Sequence, residues 1–153
     1  MADSRLLTPA DVLPLIPQRH PFRFVDEILE LGEKRVVGRY TWDPSFEFYK
    51  GHFPGNPVTP GVLLIECMGQ CGVVPLGIFF GYRDHPDDAE KFTTFFTDAA
   101  VDFSSVVLPG QTVTVQSDLV FYRRRKVQVQ SEMKLEDGTV VCEGKLAGMG
   151  VNI

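Results

Sequence analysis

From Val58 to Phe80 the chain reads VTPGVLLIECMGQCGVVPLGIFF, and Glu66 is the one charge in it. Pro60 suits the start of a helix, where a missing N–H costs nothing. The helix that follows is apolar on nearly every face, so it must be enclosed on all sides. Its length approaches that of a membrane span, but Glu66, Gln70 and Pro75 interrupt it, and it reads as a buried core helix. Pro75 is expected to kink it or end its first part.

The remaining sequence supplies the enclosure. Thr8 is a candidate N-cap with Pro9 in the first helical position, and Pro14 and Pro17 keep that helix short. FRFVDEILEL and KRVVGRYTW read as two strands joined at Gly32–Glu33. Beyond the central helix and a polar loop, GYRDHPDDAEK, come FTTFFTDAAVDFS, QTVTVQSDLVFYRR and KVQVQSEMKLE. A last strand, TVVCEGKLAGMG, follows the turn EDGT. A sheet must bury one face and the helix must be covered. The economical solution is α+β: a single domain over residues 1–153, with an antiparallel sheet wrapped around a long apolar helix, the hot-dog arrangement.

The bulk numbers agree with one domain. The chain has 153 residues, 44% hydrophobic and 23% charged, with a net charge of −5. That balance excludes a general nucleic-acid binder, which needs a basic footprint. Cys67, Cys71 and Cys142 have no zinc-site spacing and read as reduced core thiols in a cytoplasmic protein. The first residues, MADSRLLTPADVLPLIPQR, contain no apolar stretch of signal-peptide length.

Ahead of the helix lies DPSFEFYKGHFPGNPVTPG, a stiff loop carrying His52 among prolines and glycines. Long irregular loops in compact domains are often functional. Gly61 falls in the first turn of the helix, where N–H groups lack intrahelical partners and carry the positive end of the dipole. Such a group stabilises an oxyanion. Glu66, among Val62, Leu63, Leu64 and Ile65, is expected to be desolvated and to hold its proton towards neutrality, as a general acid must. An imidazole already titrates near neutrality, so His52 is the natural base. The set predicts acid–base chemistry beside a polarised carbonyl. No serine sits in a G-x-S-x-G turn, and no cysteine has a local histidine partner.

At this point a resemblance becomes specific. GHFPGNPVTPGVLLIECMGQCG resembles the signature of the β-hydroxyacyl-acyl carrier protein dehydratases of the FabZ type. His52, Phe53, Pro54, Pro57, Val58, Pro60, Gly61, Val62, Leu63, Glu66, Met68 and Gln70 match it. LIPQRHPFRFVDEILEL and the region from Val101 to Ala147 resemble the family's flanks. The resemblance implies a hot-dog dimer, often a trimer of dimers. It implies dehydration of a 3-hydroxyacyl thioester on acyl carrier protein to the trans-2-enoyl thioester, in fatty-acid or related polyene or lipid biosynthesis, without metal or organic cofactor. By position His52 and Glu66 would be catalytic, one from each chain of the dimer, with Gly61 holding the carbonyl. Phe53, Pro60, Val62 and Gln70 are the expected substrate contacts.

Glu66 favours the FabZ type over the FabA type, which carries Asp there and also isomerises. Asn56, Thr59, Cys67, Gly69, Cys71 and Pro75 depart from the common pattern and leave chain length and pathway open. Phe92, Phe95, Phe96 and Phe103 would line an acyl tunnel or pack the core. Arg123, Arg124, Arg125 and Lys126 form the one basic cluster, a candidate dock for acidic acyl carrier protein as well as an ordinary solvated hairpin end. Two other functions fit the fold: a hot-dog acyl thioesterase, and a non-catalytic partner subunit in a hetero-oligomeric dehydratase.

Overall fold

The computed structural model describes residues 6–153. The chain opens with the short helix α1, Pro9–Val12, whose N-cap Thr8 accepts from the Asp11 N–H while the Asp11 carboxylate accepts from Thr8. This reciprocal capping box satisfies first-turn donors that the helix cannot. Strands β1, Glu27–Leu31, and β2, Arg35–Thr41, follow. The central helix comes next, and then β3, Phe92–Phe103, β4, Thr112–Arg123, β5, Lys126–Leu135, and β6, Val140–Asn152.

The six strands form one sheet in the order β1-β2-β4-β5-β6-β3, antiparallel throughout. Its inner face is a strict period-two pattern. Val113, Val115 and Ser117 on β4 and Val127, Val129, Ser131 and Met133 on β5 are fully enclosed. The two serines share a hydrogen bond of 3.0 Å, which keeps both hydroxyls satisfied in the dry interior.

Against this face lies the helix, in three parts: α2, Gly61–Met68, a π-helical turn over Gly69–Val73, and α3, Val74–Asp84. By length and apolarity it would pass for a membrane span, yet 67% of its most apolar window is buried within the fold. Pro75 neither ends nor breaks it. The π turn just before the proline gives local slack in the hydrogen-bond ladder, where Pro75 supplies no donor.

Close approach of helix to sheet depends on absent side chains. A Cβ at Gly38 would stand 2.7 Å from Cys71 Cβ, and one at Gly72 would stand 2.3 Å from Ser117 Oγ. Cys67, Cys71 and Cys142 are free and buried in this packed layer. Burial pushes the Cys142 thiol up to about 12, so it stays protonated and inert.

Candidate active site

Residues 51–60 form a stitched loop rather than a loose one. His52 N–H donates to Phe48 O at 3.0 Å and Val58 N–H to His52 O at 2.9 Å. Phe53 and Asn56 exchange backbone bonds of 3.0 and 2.8 Å around Gly55, whose φ of +72° suits a residue without a Cβ. Thr59 is tied to Val107 O through its N–H and to the buried Tyr49 hydroxyl through its side chain. The His52 ring is held by a 2.8 Å contact from Nδ1 to the Val58 carbonyl. A carbonyl only accepts, so Nδ1 carries the hydrogen, and in the neutral ring the lone pair is then on Nε2. The loop thereby sets the tautomer that a base requires.

The loop delivers the chain into α2 at Pro60. The helical ladder begins with Leu63 and Leu64 donating to Pro60 O, so the Gly61 N–H stands ahead of it at the positive end. A Cβ at Gly61 would press on the Phe103 ring at 3.3 Å.

Glu66 is half-buried one helical turn before Gln70. Gln70, fully enclosed, spends its amide within the chain. Its Nε2 donates to Glu66 Oε1 at 2.9 Å and to Phe22 O at 3.2 Å, and its Oε1 accepts from Phe24 N–H at 2.6 Å. One amide therefore fixes the carboxyl and the Phe22–Phe24 segment together. Burial raises the Glu66 pKa above the ordinary carboxylate value, and the Gln70 N–H, which favours the charged form, offsets part of that rise. Glu66 opens on an apolar cavity of about 280 Å3, lined also by Gln18, Phe22, Gly69, Val73, Val74 and residues 93–96 of β3.

His52 and Gly61 line no part of that cavity. The structure thus brings Glu66 and Gln70 together and leaves His52 apart from them within one chain. Phe53 and Val62 are exposed, and Pro60 is partly covered. Phe95 and Phe96 line the Glu66 cavity, whereas Phe92 lies under the Arg125 guanidinium at 3.5 Å. At the β4–β5 hairpin tip Lys126 faces Asp98 at 3.5 Å, while Arg123 and Arg124 are exposed without a partner among the described residues.

Gln18, Phe22, Thr93 and Thr94 were not singled out from the sequence. No local pattern marks them, because the segment around Gln18 and β3 meet the helix only in the folded chain. Among the described residues no cluster of three His, Cys, Asp or Glu is arranged to hold a metal.

An antiparallel sheet closed around one apolar helix, with a single carboxyl facing an apolar cavity, defines a hot-dog protein. Solved structures agree. The dehydratase heterocomplex ApeI:P from Xenorhabdus doucetiae superposes with a TM-score of 0.73 at 17% identity, covering 95% of this chain and 93% of that one. A thioesterase from Haemophilus influenzae gives 0.67 at 17% identity over 99% and 96%. Likeness at such identity shows the fold alone.

The family follows from sequence: the FabA-like domain matches residues 16–145, and the chain belongs to the FabA-like family. Two relatives carry the name 3-hydroxyacyl-[acyl-carrier-protein] dehydratase FabZ. The protein of Herpetosiphon aurantiacus is 38% identical over 145 residues, 92% of this chain and 96% of its own length. That of Caldicellulosiruptor bescii is 36% identical over 139 residues, 88% and 92% respectively.

Proposed function

We propose that the protein dehydrates 3-hydroxyacyl thioesters carried on acyl carrier protein to trans-2-enoyl thioesters. The observation that carries this reading is Glu66: one carboxyl in an apolar helix, its proton affinity raised by burial, pinned by Gln70 and facing a cavity fit for an acyl chain. Its FabZ relatives support the substrate class.

The α-proton of a thioester is weakly acidic. His52 Nε2 takes it, while Nδ1–H stays on the Val58 carbonyl and holds the ring. The Gly61 N–H, ahead of the helical ladder, donates to the carbonyl oxygen and stabilises the enolate charge that develops there. Protonated Glu66 gives its proton to the 3-hydroxyl, the C–O electron pair leaves with that oxygen, and water departs. Phe53, Pro60 and Val62 flank the thioester.

Because His52 lies outside the cavity of Glu66, the acid–base pair is completed by a second copy of the chain. The edge strand β3 supports this assembly. Among the described residues, its twelve pair only with β6 and leave half-exposed Phe95, Phe96 and Phe103 beside an open edge. Natural sheets seldom leave such an edge uncovered. The opposite edge, β1, is five residues long and carries Glu27 and Glu30, the defended kind. Arg123 and Arg124 are the surface offered to the acidic carrier protein, and the reduced thiols suit a cytoplasmic enzyme.

The test is hydration of crotonyl thioesters and dehydration of 3-hydroxyacyl thioesters by wild type, His52→Ala and Glu66→Gln. Each variant is expected to lose about 10²–10⁴-fold in turnover. Mixing the two inactive variants restores activity, since a mixed dimer regains one intact site. Release of free thiol instead of enoyl product would replace this reading with a thioesterase.

A further inference from the structure

The Glu66 cavity does not end at its own walls. A second space of about 150 Å3 shares Val74, Thr93 and Thr94 with it. A narrow slot of about 30 Å3 shares Ile78, Phe92 and Thr94 with the second space and ends at Arg125. The three abut along the central helix, in the order Glu66, Val74, Ile78. Polarity rises along this groove. The walls around Glu66 are mostly apolar, the second space adds Tyr82 and Glu90, and the slot ends on a guanidinium.

Arg125 is held for use there. Arg124 and Arg125 form the two-residue β4–β5 turn with φ of +51° and +64°. Glycine and asparagine adopt such values at lower cost, so arginine here serves something other than the turn. The Gly150 N–H donates to Arg125 O at 2.9 Å and fixes its backbone. Arg124 is exposed, whereas Arg125 is partly buried, its guanidinium over the Phe92 ring at 3.5 Å. At that distance the contact is through the guanidinium face, which leaves the N–H groups in its plane free. Arg125 forms no ion pair among the described residues. Its charge acts on Asp88, but that carboxylate pairs with Lys91 at 3.0 Å.

On the dehydratase reading, on which this inference rests, Glu66 acts at C3 of the acyl group and the substrate leaves it in two directions. One is the acyl tail. Towards it stands Phe22, which also walls an apolar cavity of about 500 Å3 with Phe24, Phe46, Phe48 and Leu63. The other is the phosphopantetheine arm: a thioester, two amides, a hydroxyl, then a phosphate. That order matches the rise in polarity along the groove. Length agrees as well. The helix advances about 18 Å from Glu66 to Ile78. The path from C3 to phosphorus, about sixteen bonds at three per extended residue, also spans about 18 Å.

We propose that the groove from Glu66 to Arg125 seats the phosphopantetheine arm and that Arg125 holds its phosphate, a contact separate from docking of the carrier protein on Arg123 and Arg124. The slot has room for a water or two, so the phosphate rests at its mouth on the guanidinium edge. A planar fork on a phosphate is among the stronger polar pairs. The arm's amide N–H groups meet Glu90 and the hydroxyls of Thr93 and Thr94.

The test leaves the carrier protein out, so that docking contributes nothing. Binding is measured for pantetheine and 4′-phosphopantetheine, each carrying 3-hydroxyhexanoyl through an amide in place of the thioester. Wild type is expected to bind the phosphorylated form about 5–30-fold more tightly, with the gain shrinking at high salt. Arg125→Met, which still packs on Phe92, loses the gain. Arg125→Lys, which keeps the charge without the fork, retains part of it, and Arg124→Met retains it in full. No gain in wild type, a gain that survives in Arg125→Met, or an equal loss in Arg124→Met overturns the proposal. Turnover of the matching thioesters by wild type is read alongside. Turnover without an Arg125-dependent gain sinks this inference alone, and an Arg125-dependent gain without turnover sinks the dehydratase reading alone.

Discussion

Strands β5 and β3 belong to one sheet, yet they meet their surroundings in opposite ways. β5 lies between β4 and β6, and its inward residues Val127, Val129 and Met133 are wholly enclosed against the helix. Among the described residues β3 pairs with β6 alone, and Phe95, Phe96 and Phe103 remain between 42% and 47% exposed. Strand propensity does not decide this, since β3 is the richer in Phe and Thr and is still the strand left uncovered; position in the sheet decides who covers the side chains. The interior strand is completed by its own chain. The edge strand supplies Thr93, Thr94, Phe95 and Phe96 to the Glu66 cavity, so the incompletely covered part of the fold is also where the candidate chemistry sits.

The sharpest way to break this contrast is a charge. Val129→Asp places an uncompensated carboxylate in the dry interior and is expected to cost more than about 4 kcal/mol, read as loss of the cooperative thermal transition. If β3 seats the proposed second copy, Phe95→Asp is expected to leave the circular dichroism of the fold intact and to lower the mass in light scattering to that of one chain. Equal damage from both would mean that β3 is as much core as β5.

A smaller probe adds one methyl group. In Gly38→Ala the new Cβ meets Cys71 at 2.7 Å on one atom and 3.2 Å on backbone, both deep in the core, so about 1–3 kcal/mol should be lost in urea denaturation. In Gly69→Ala the new Cβ stands 2.5 Å from the tip of the Phe96 ring, which is half-exposed and free to swing aside. Its cost should stay under about 1 kcal/mol, while the preferred acyl length changes with the cavity wall. Reversal of that order would put the rigid contact at Phe96.

The smallest effect is one of pH. The folded-state pKa of Glu66 is raised by burial above its ordinary 4.5. Below that value both states hold the proton and the group is neutral to stability. As pH rises, the unfolded chain ionises first, and the folded state loses stability until Glu66 itself ionises. Glu66→Gln removes this loss. Its melting temperature relative to wild type should therefore be unchanged near pH 4 and higher at pH 7. A difference that stays flat with pH would mean that Glu66 is not desolvated in the folded protein.

Much of this was legible in the sequence. The six strands, the turn at Gly138 and the capped first helix follow from alternation and from Gly, Pro and Thr at fixed places, because these signals are local. The strand is shorter than FRFVDEILEL suggests: the first half is an extended segment that bonds to Gln70, and only Glu27–Leu31 forms β1. The π turn at Gly69–Val73 was not legible either, since Pro75 by itself allows a kink, a stop or a relaxed ladder.

By itself, the sequence determined that an apolar helix with one carboxyl must be enclosed by a sheet, and that a stiff loop must lead into the helix. Burial of apolar surface and backbone hydrogen bonding leave few other choices. Only the tertiary structure decided that Gln70 spends its amide inside the chain, that Gln18 and Glu66 line one cavity, and that His52 stands outside it. These are relations between segments tens of residues apart. They are set by how helix, strap and edge strand pack together, and no short-range pattern encodes that packing.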